Sequence, residues 1–283
     1  MAKVGIVCDS TCDLGLEWFE ANDVTMVPLK VLFGEDTFLD WVDLQPEQFF
    51  EKLTAATTLP KTSQPSPAEF VTAYDALAEQ GCDSIVSIHL TAALSGTFES
   101  ATLAAKDVAI PVHVIDTKCV TQATGLVVKL ATELRDEGLD ADTIATRARE
   151  ATTQMKMFFI LDTLEYLVKG GRAGKAQGLA ASLLNIKPVL TFNQDGIIEP
   201  FRKIKGLRKA MAELATYIAE ESRGGAIRLS LFHACAPDLA DELKAAFDEA
   251  GVDYVLDSVG LVGAVIGTYA GPRALGAAYL PRS

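Results

Sequence analysis

The chain has 283 residues, with 25 Lys and Arg against 38 Asp and Glu, giving a formal net charge of -13. A hydrophobic share of 49% with 22% charged residues excludes a disordered chain and leaves apolar content for one large or two medium domains. The acidity argues against general nucleic-acid binding, which needs a local basic patch, and against adsorption to anionic membranes.

The N-terminal Met1-Ala2-Lys3-Val4-Gly5-Ile6-Val7 enters a strand-like run at once, without the long apolar stretch and cleavage site of a signal peptide. The longest apolar window, Val259 to Ile266, is short and carries glycine, so no membrane span is expected. Five scattered cysteines (Cys8, Cys12, Cys82, Cys119, Cys235) match neither a CxxC redox pair nor a zinc finger. The expectation is a soluble, reduced, cytoplasmic protein with no metal and no cofactor.

In chain order, Val4 to Cys8 reads as a buried strand and Leu14 to Ala21 as a helix. Thr25 to Phe33 and Thr37 to Val42 read as strands around a hairpin-like Gly34-Glu35-Asp36. A helix follows Pro46, and Ser66-Pro67-Ala68-Glu69 has the spacing of a capping box ahead of another. Asp83 to Leu90 is a strand, about Gly96 to Val108 a helix, and Val112 to Ile115 a strand. Leu126, Leu130 and Leu134 form one stripe of a helix from Gln122 to Arg135, followed by a helix over about Ala141 to Thr153. This βαβ series predicts a parallel sheet with helices on its faces.

After a strand at Met157 to Leu161 the pattern loosens. Leu164 to Lys169 and Lys175 to Leu184 read as helical, and Pro188 to Phe192 with Gly196 to Phe201 as a hairpin. Leu207, Met211, Leu214 and Ile218 mark an amphipathic helix. A strand at Ile227 to His233, a helix at Pro237 to Ala250, a strand at Val252 to Leu256, a further helix and a last strand near Ala277 to Leu280 complete the chain. The expected architecture is α/β: a parallel-sheet α/β domain over 1–155 and an α+β domain over 156–283.

Enzyme signatures fail on single residues. Gly171-Arg172-Ala173-Gly174-Lys175-Ala176 lacks the first glycine and the terminal hydroxyl of a phosphate loop. Ser95 lacks a nucleophile elbow because position 93 is Ala93, and no strand leads into GxGxxG. Ligands of parallel α/β sheets sit beyond the carboxyl ends of the strands. That directs attention to Asp9-Ser10, to Thr91-Ala92-Ala93-Leu94-Ser95-Gly96-Thr97, and to Thr62-Ser63-Gln64-Pro65-Ser66. Hydroxyls at a helix start suit a carboxylate or phosphate, although Ser and Thr are also ordinary caps.

These motifs, taken in order with Leu164-Glu165-Tyr166-Leu167-Val168-Lys169-Gly170-Gly171-Arg172, Lys187-Pro188 and Gly267-Thr268-Tyr269-Ala270-Gly271-Pro272, resemble the DegV family of bacterial fatty acid-binding proteins over nearly the whole chain. The resemblance implies a non-enzymatic carrier that buries one long-chain fatty acid between two domains. It also implies that the carrier presents the carboxylate to an ATP-dependent fatty acid kinase, which makes an acyl phosphate for phospholipid synthesis. Thr62, Ser95, Thr97 and Tyr269 are the expected carboxylate contacts. Arg172 and Arg202 are the expected contacts to the kinase or the acyl-phosphate product. The family commonly has His where this chain has Tyr269, Thr at Ala270 and a small residue at Arg273. A tyrosine donates a hydrogen bond but brings no charge at neutral pH, so Tyr269 is read as the replacement donor and Arg273 as a source of positive charge. A chain of about sixteen carbons offers on the order of 10 kcal/mol of apolar burial before entropy losses. The alternatives are an enzyme or a small-ligand sensor on the same scaffold. An enzyme would need a titrating group near Ser95, for which Asp9, Asp116 and the histidines are the candidates.

Overall fold

A computed structural model describes residues 3–182, 187–222 and 225–282. The first half contains β1 (Val4–Asp9), a single 3-10 turn at Ser10–Cys12, α1 (Leu16–Ala21), β2 (Val24–Val27), β3 (Lys30–Phe33), β4 (Asp36–Leu39) and α2 (Pro46–Ala55). It continues with β5 (Lys61–Ser63), α3 (Pro67–Glu79), β6 (Ser84–His89), α4 (Thr97–Ala104), β7 (Val112–Asp116), α5 (Thr121–Asp136) and α6 (Ala141–Gln154). The second half contains β8 (Lys156–Ile160), α7 (Glu165–Lys169), a 3-10 segment at Gly174–Ser182, β9 (Lys187–Phe192), β10 (Ile198–Ile204) and α8 (Leu207–Glu221). It ends with β11 (Ile227–His233), α9 (Pro237–Glu249), β12 (Tyr254–Leu261), α10 (Ala264–Ala270) and β13 (Leu275–Pro281).

The expected parallel sheet is present, in the order β2-β1-β6-β7. All residues of β1 are buried, as a strand covered on both faces requires. A six-stranded sheet, β10-β9-β8-β13-β11-β12, is antiparallel except between β11 and β12. A small antiparallel sheet, β4-β3-β5, stands beside them. α5 and α6 lie between the two large sheets and touch both. This placement explains why α5 is buried on nearly every side of its first half. Gly125 lets it close on the Cys12 carbonyl, where a Cβ would come within 2.9 Å. One apolar cluster therefore runs from Ile6 and Val86 through Leu126 to Phe159 and Phe232. Separate cores lie under α3 and α4 on one outer face and under α8 and α9 on the other.

Local signals place most elements. Ser66 Oγ accepts from Glu69 N and Glu69 Oε2 accepts from Ser66 N, the reciprocal box that starts α3. Five expectations are corrected. The run Thr25 to Phe33 is two strands in two sheets, because Pro28 has no N–H for a ladder and the chain turns there. Lys61–Ser63, read as loop, is a strand paired to β3. The helix expected to reach Val108 ends at Ala104. Lys175 onward is 3-10 rather than α, and the end of that expected helix, 183–184, lies outside the described residues. The strand expected to stop at Leu256 runs to Leu261, with a bulge at Asp257 that breaks its alternation.

Candidate functional site

α10 organises the site. Its first N–H groups are taken by two buried carboxylates from the other half of the chain: Gly263 N donates to Asp13 Oδ1 at 3.0 Å and Ala264 N to Asp40 Oδ1 at 2.9 Å. Gly267 lets the helix close on α2, since a Cβ would meet Phe49 and Phe50 at 2.7 and 2.8 Å. Gly271 ends it at φ 71°, over the Tyr166 ring. The Tyr269 ring lies against Gly170, where no side chain fits. The glycine spacing of this segment is thus a packing requirement that fixes the direction of Tyr269.

Tyr269 borders a cavity of about 230 Å³. Its walls are mostly apolar and come from both halves: Leu29, Leu90 and Val120 on one side, Met157, Phe159 and Phe232 on the other. The polar lining gathers Thr62, Ser63, Gln64, Ser95, Arg172 and Tyr269, with Thr121 in addition. Thr62 Oγ1 and Tyr269 Oη lie 2.5 Å apart. The Arg172 guanidinium stands 5.1 Å from the Tyr269 ring centre, within cation–π range, and donates to the carbonyls of Gly170 and Leu94. Ser95 Oγ and Thr97 Oγ1 are 2.9 Å apart.

The structure therefore brings Thr62, Ser95, Arg172 and Tyr269 to one cavity. Thr97 is fully buried one step behind Ser95. Arg202 is not there: it stacks on Phe201 and Tyr217 and faces Glu213 at 3.8 Å. Arg273, expected to supply charge beside Tyr269, instead pairs with Asp238 at 3.3 Å on the surface, so Arg172 is the cation at the site. The N–H groups at the start of α4 are partly engaged. Gly96 N donates to Gln64 Oε1 at 3.1 Å and Thr97 N to Ser95 Oγ at 3.4 Å. Gln64 lay inside a motif already singled out, but nothing in its spacing distinguished it from its neighbours. Thr121 carried no sequence signal at all.

The candidates for a titrating group lie elsewhere. Asp9 accepts from Thr11 N, Thr11 Oγ1 and Leu90 N and faces His89 Nδ1 at 3.0 Å. His89 Nε2 is 2.7 Å from Ser87 Oγ, which is 2.9 Å from Tyr74 Oη. Ser87, His89 and Asp9 thus have the connectivity of a hydrolytic triad, yet all three are 0% exposed and none borders the cavity. Asp116 pairs with Lys118, His113 with Asp142, and His233 accepts from Ala236 N. Among the described lining residues the ionisable side chains are Arg172 and Tyr269. Behind the wall, burial with Asp40 beside it pushes the Asp13 carboxyl well above the usual range. Burial likewise pushes Asp40 to about 6, against the hydrogen bonds it accepts from Ser10 and Ala264. A larger surface groove, about 640 Å³, runs past Glu133, Arg228 and Asp257, but these charges pair with one another.

Fold and cavity define an α/β protein with an apolar, polar-ended chamber between two sheets. The family pattern described as "Uncharacterised protein, DegV family" matches residues 3–282, and the chain belongs to that family. A DegV domain-containing protein of Streptomyces coelicolor is 36% identical over 273 residues, covering 96% of each chain. A solved DegV family protein from Thermus thermophilus, described by its fatty acid binding, superposes with a TM-score of 0.92 at 32% identity over 99% of this chain and 100% of that one. DegV from Bacillus subtilis, a fatty acid binding protein, gives 0.87 at 32% identity over 100% of both. Among the described residues no helix is long and apolar enough to cross a membrane.

Proposed function

We propose that this protein holds one long-chain fatty acid in the cavity, with its carboxylate at Thr62, Ser95 and Tyr269 and its chain along the apolar wall. The observation that carries this reading is the asymmetry of the chamber, with a cluster of hydroxyls and one guanidinium at one end and hydrocarbon walls elsewhere. Each hydroxyl pair has two protons and spends one on its internal bond. One O–H from Thr62–Tyr269 and one from Ser95–Thr97 remain to donate, one for each carboxylate oxygen. Arg172 supplies the opposite charge, so the anion is not buried unpaired. Tyr269 fills the donor role of the family's histidine, and the positive charge comes from Arg172 instead. The fatty acid binding of the Thermus and Bacillus proteins supports the ligand class.

The reading extends to two domains divided near Met155, in keeping with sheets that draw their strands from either side of that point. It also extends to a carrier that presents the carboxylate to an ATP-dependent fatty acid kinase for acyl-phosphate formation, with Arg202 on the docking surface. The lining offers no carboxylate, imidazole or thiol among the described residues to move a proton, which favours a carrier over an enzyme. Solvent extraction of the purified protein followed by mass spectrometry should release a stoichiometric fatty acid, and Thr62→Ala and Ser95→Ala should retain less. An empty extract that stays empty after incubation with fatty acid would overturn the ligand. Failure of the loaded protein to yield a hydroxylamine-trappable acyl phosphate with ATP and native extract would overturn the kinase role alone.

A further inference from the structure

The two hydroxyl pairs at the cavity sit on separate segments that meet through one further side chain. Thr62 belongs to β5, which pairs with β3 in the small sheet. Ser95 and Thr97 stand at the start of α4, after β6 of the four-stranded sheet. Gln64 bridges the two. Its Oε1 accepts from Gly96 N at 3.1 Å and its Nε2 donates to Ser100 Oγ at 3.4 Å. Among the described residues these are the hydrogen bonds that join the Thr62 segment to the start of α4. The amide lies against Gly96, where any Cβ would collide with it. Pro65 follows Gln64 and favours extended backbone there. In an extended chain residues two apart point the same way, and Thr62 and Gln64 both border the cavity.

A carboxylate holds its two oxygens at a fixed separation, so gripping both requires two donors kept at a matching separation. Each hydroxyl pair is fixed within itself, Thr62 Oγ1 to Tyr269 Oη and Ser95 Oγ to Thr97 Oγ1. Neither bond sets one pair relative to the other. Gln64 does, because Gly96 N belongs to the peptide group that follows Ser95, and Gln64 itself is two residues from Thr62. The side chain is exposed and uncharged, so it brings no opposite charge to an anion. Its contribution is the register of the two donors. A head group with a single oxygen needs only one pair and does not read that register.

Resting on the fatty acid reading above, we propose that Gln64 is a positioning residue that makes the site selective for carboxylates over head groups with one oxygen. The test uses delipidated protein with tetradecanoic acid and tetradecan-1-ol in a competition assay. The wild type should prefer the acid. Gln64→Met, which keeps the length of the side chain and removes both hydrogen bonds, should weaken the acid about tenfold and move the alcohol by less than about twofold. Ser95→Ala should cost the acid less in the Gln64→Met background than in the wild type, because the two-point grip is already lost. If Gln64→Met weakens acid and alcohol equally, Gln64 only supports the local structure and the proposal fails. It fails also if the variant leaves the preference for the acid intact, or if the Gln64 and Ser95 losses are additive. If the wild type does not bind the acid at all, the head-group reading falls first and this one with it.

Discussion

Two polar clusters in this molecule use nearly the same residue types and do opposite work. Across the four-stranded sheet and α3, Asp9, His89, Ser87 and Tyr74 form a continuous buried chain in which each member is held by the next or by backbone. At the cavity, Thr62, Tyr269, Ser95 and Thr97 are paired only within two couples, and Arg172 stacks above one of them. The first cluster has the connectivity of a nucleophile, base and orienting acid, but no space adjoins it. The second has no such connectivity, but its spare O–H donors and its cation face an apolar chamber. What separates the structural network from the candidate site here is access and the number of unspent donors, not the list of residues.

Substitutions can break this comparison. The largest effect is expected for Asp9→Ala, which leaves His89 and backbone donors unpaired in the core. Unfolding in urea should show a loss of about 3–5 kcal/mol, with ligand affinity of the folded fraction unchanged. Asp40 belongs to the same structural class and should act through pH. Its folded value of about 6 lies above the ordinary 3.8, so the folded state holds the proton more tightly. The stability it contributes is complete below about pH 4 and is lost as pH rises to about 6, by up to roughly 3 kcal/mol. Stability measured against pH in Asp40→Asn should lack that decline. An unchanged pH profile would mean that Asp40 is ionised at no cost.

Effects at the second cluster should appear in affinity and not in folding. Arg172→Met should weaken fatty acid binding by roughly 10- to 100-fold, with the urea midpoint nearly unmoved. Tyr269→Phe and Thr62→Val should each cost about 1 kcal/mol of binding, and a double-mutant cycle should show that the two losses are not additive. The smallest effect is expected for Arg202→Ala. Exposed and outside the cavity lining, it should leave fatty acid affinity and stability within about 0.5 kcal/mol of wild type and, under the proposed carrier role, alter only acyl-phosphate formation with native extract.

Much of the fold was legible because it is written in local periods. The buried run at Val4, the Leu126-Leu130-Leu134 stripe and the Ser66–Glu69 box each declare an element within a few residues. Features set by distant partners were not legible. The split at Pro28 depends on which sheet each side joins, and the bulge at Asp257 depends on Lys129 and Arg228 reaching it from two different elements. In the site, Thr62, Ser95 and Tyr269 stood out through motif order, whereas Gln64 and Thr121 did not. Gln64 is placed by Gly96, 32 positions away in the chain.

The sequence alone determined the parallel-sheet class, the family and two of the segments, around Thr62 and Ser95, that border the cavity. The class rests on spacing within single segments, where the pitch of helix or strand limits what a residue can face, and the family on the order of motifs along the chain. Only the tertiary structure decided that Arg172 and not Arg273 stands at the cavity, and that the Ser87–His89–Asp9 chain is sealed. Those outcomes depend on which groups from separate segments arrive within hydrogen-bond reach of one another, and on whether a cavity adjoins them. Close packing of the two sheets around α5 settles both.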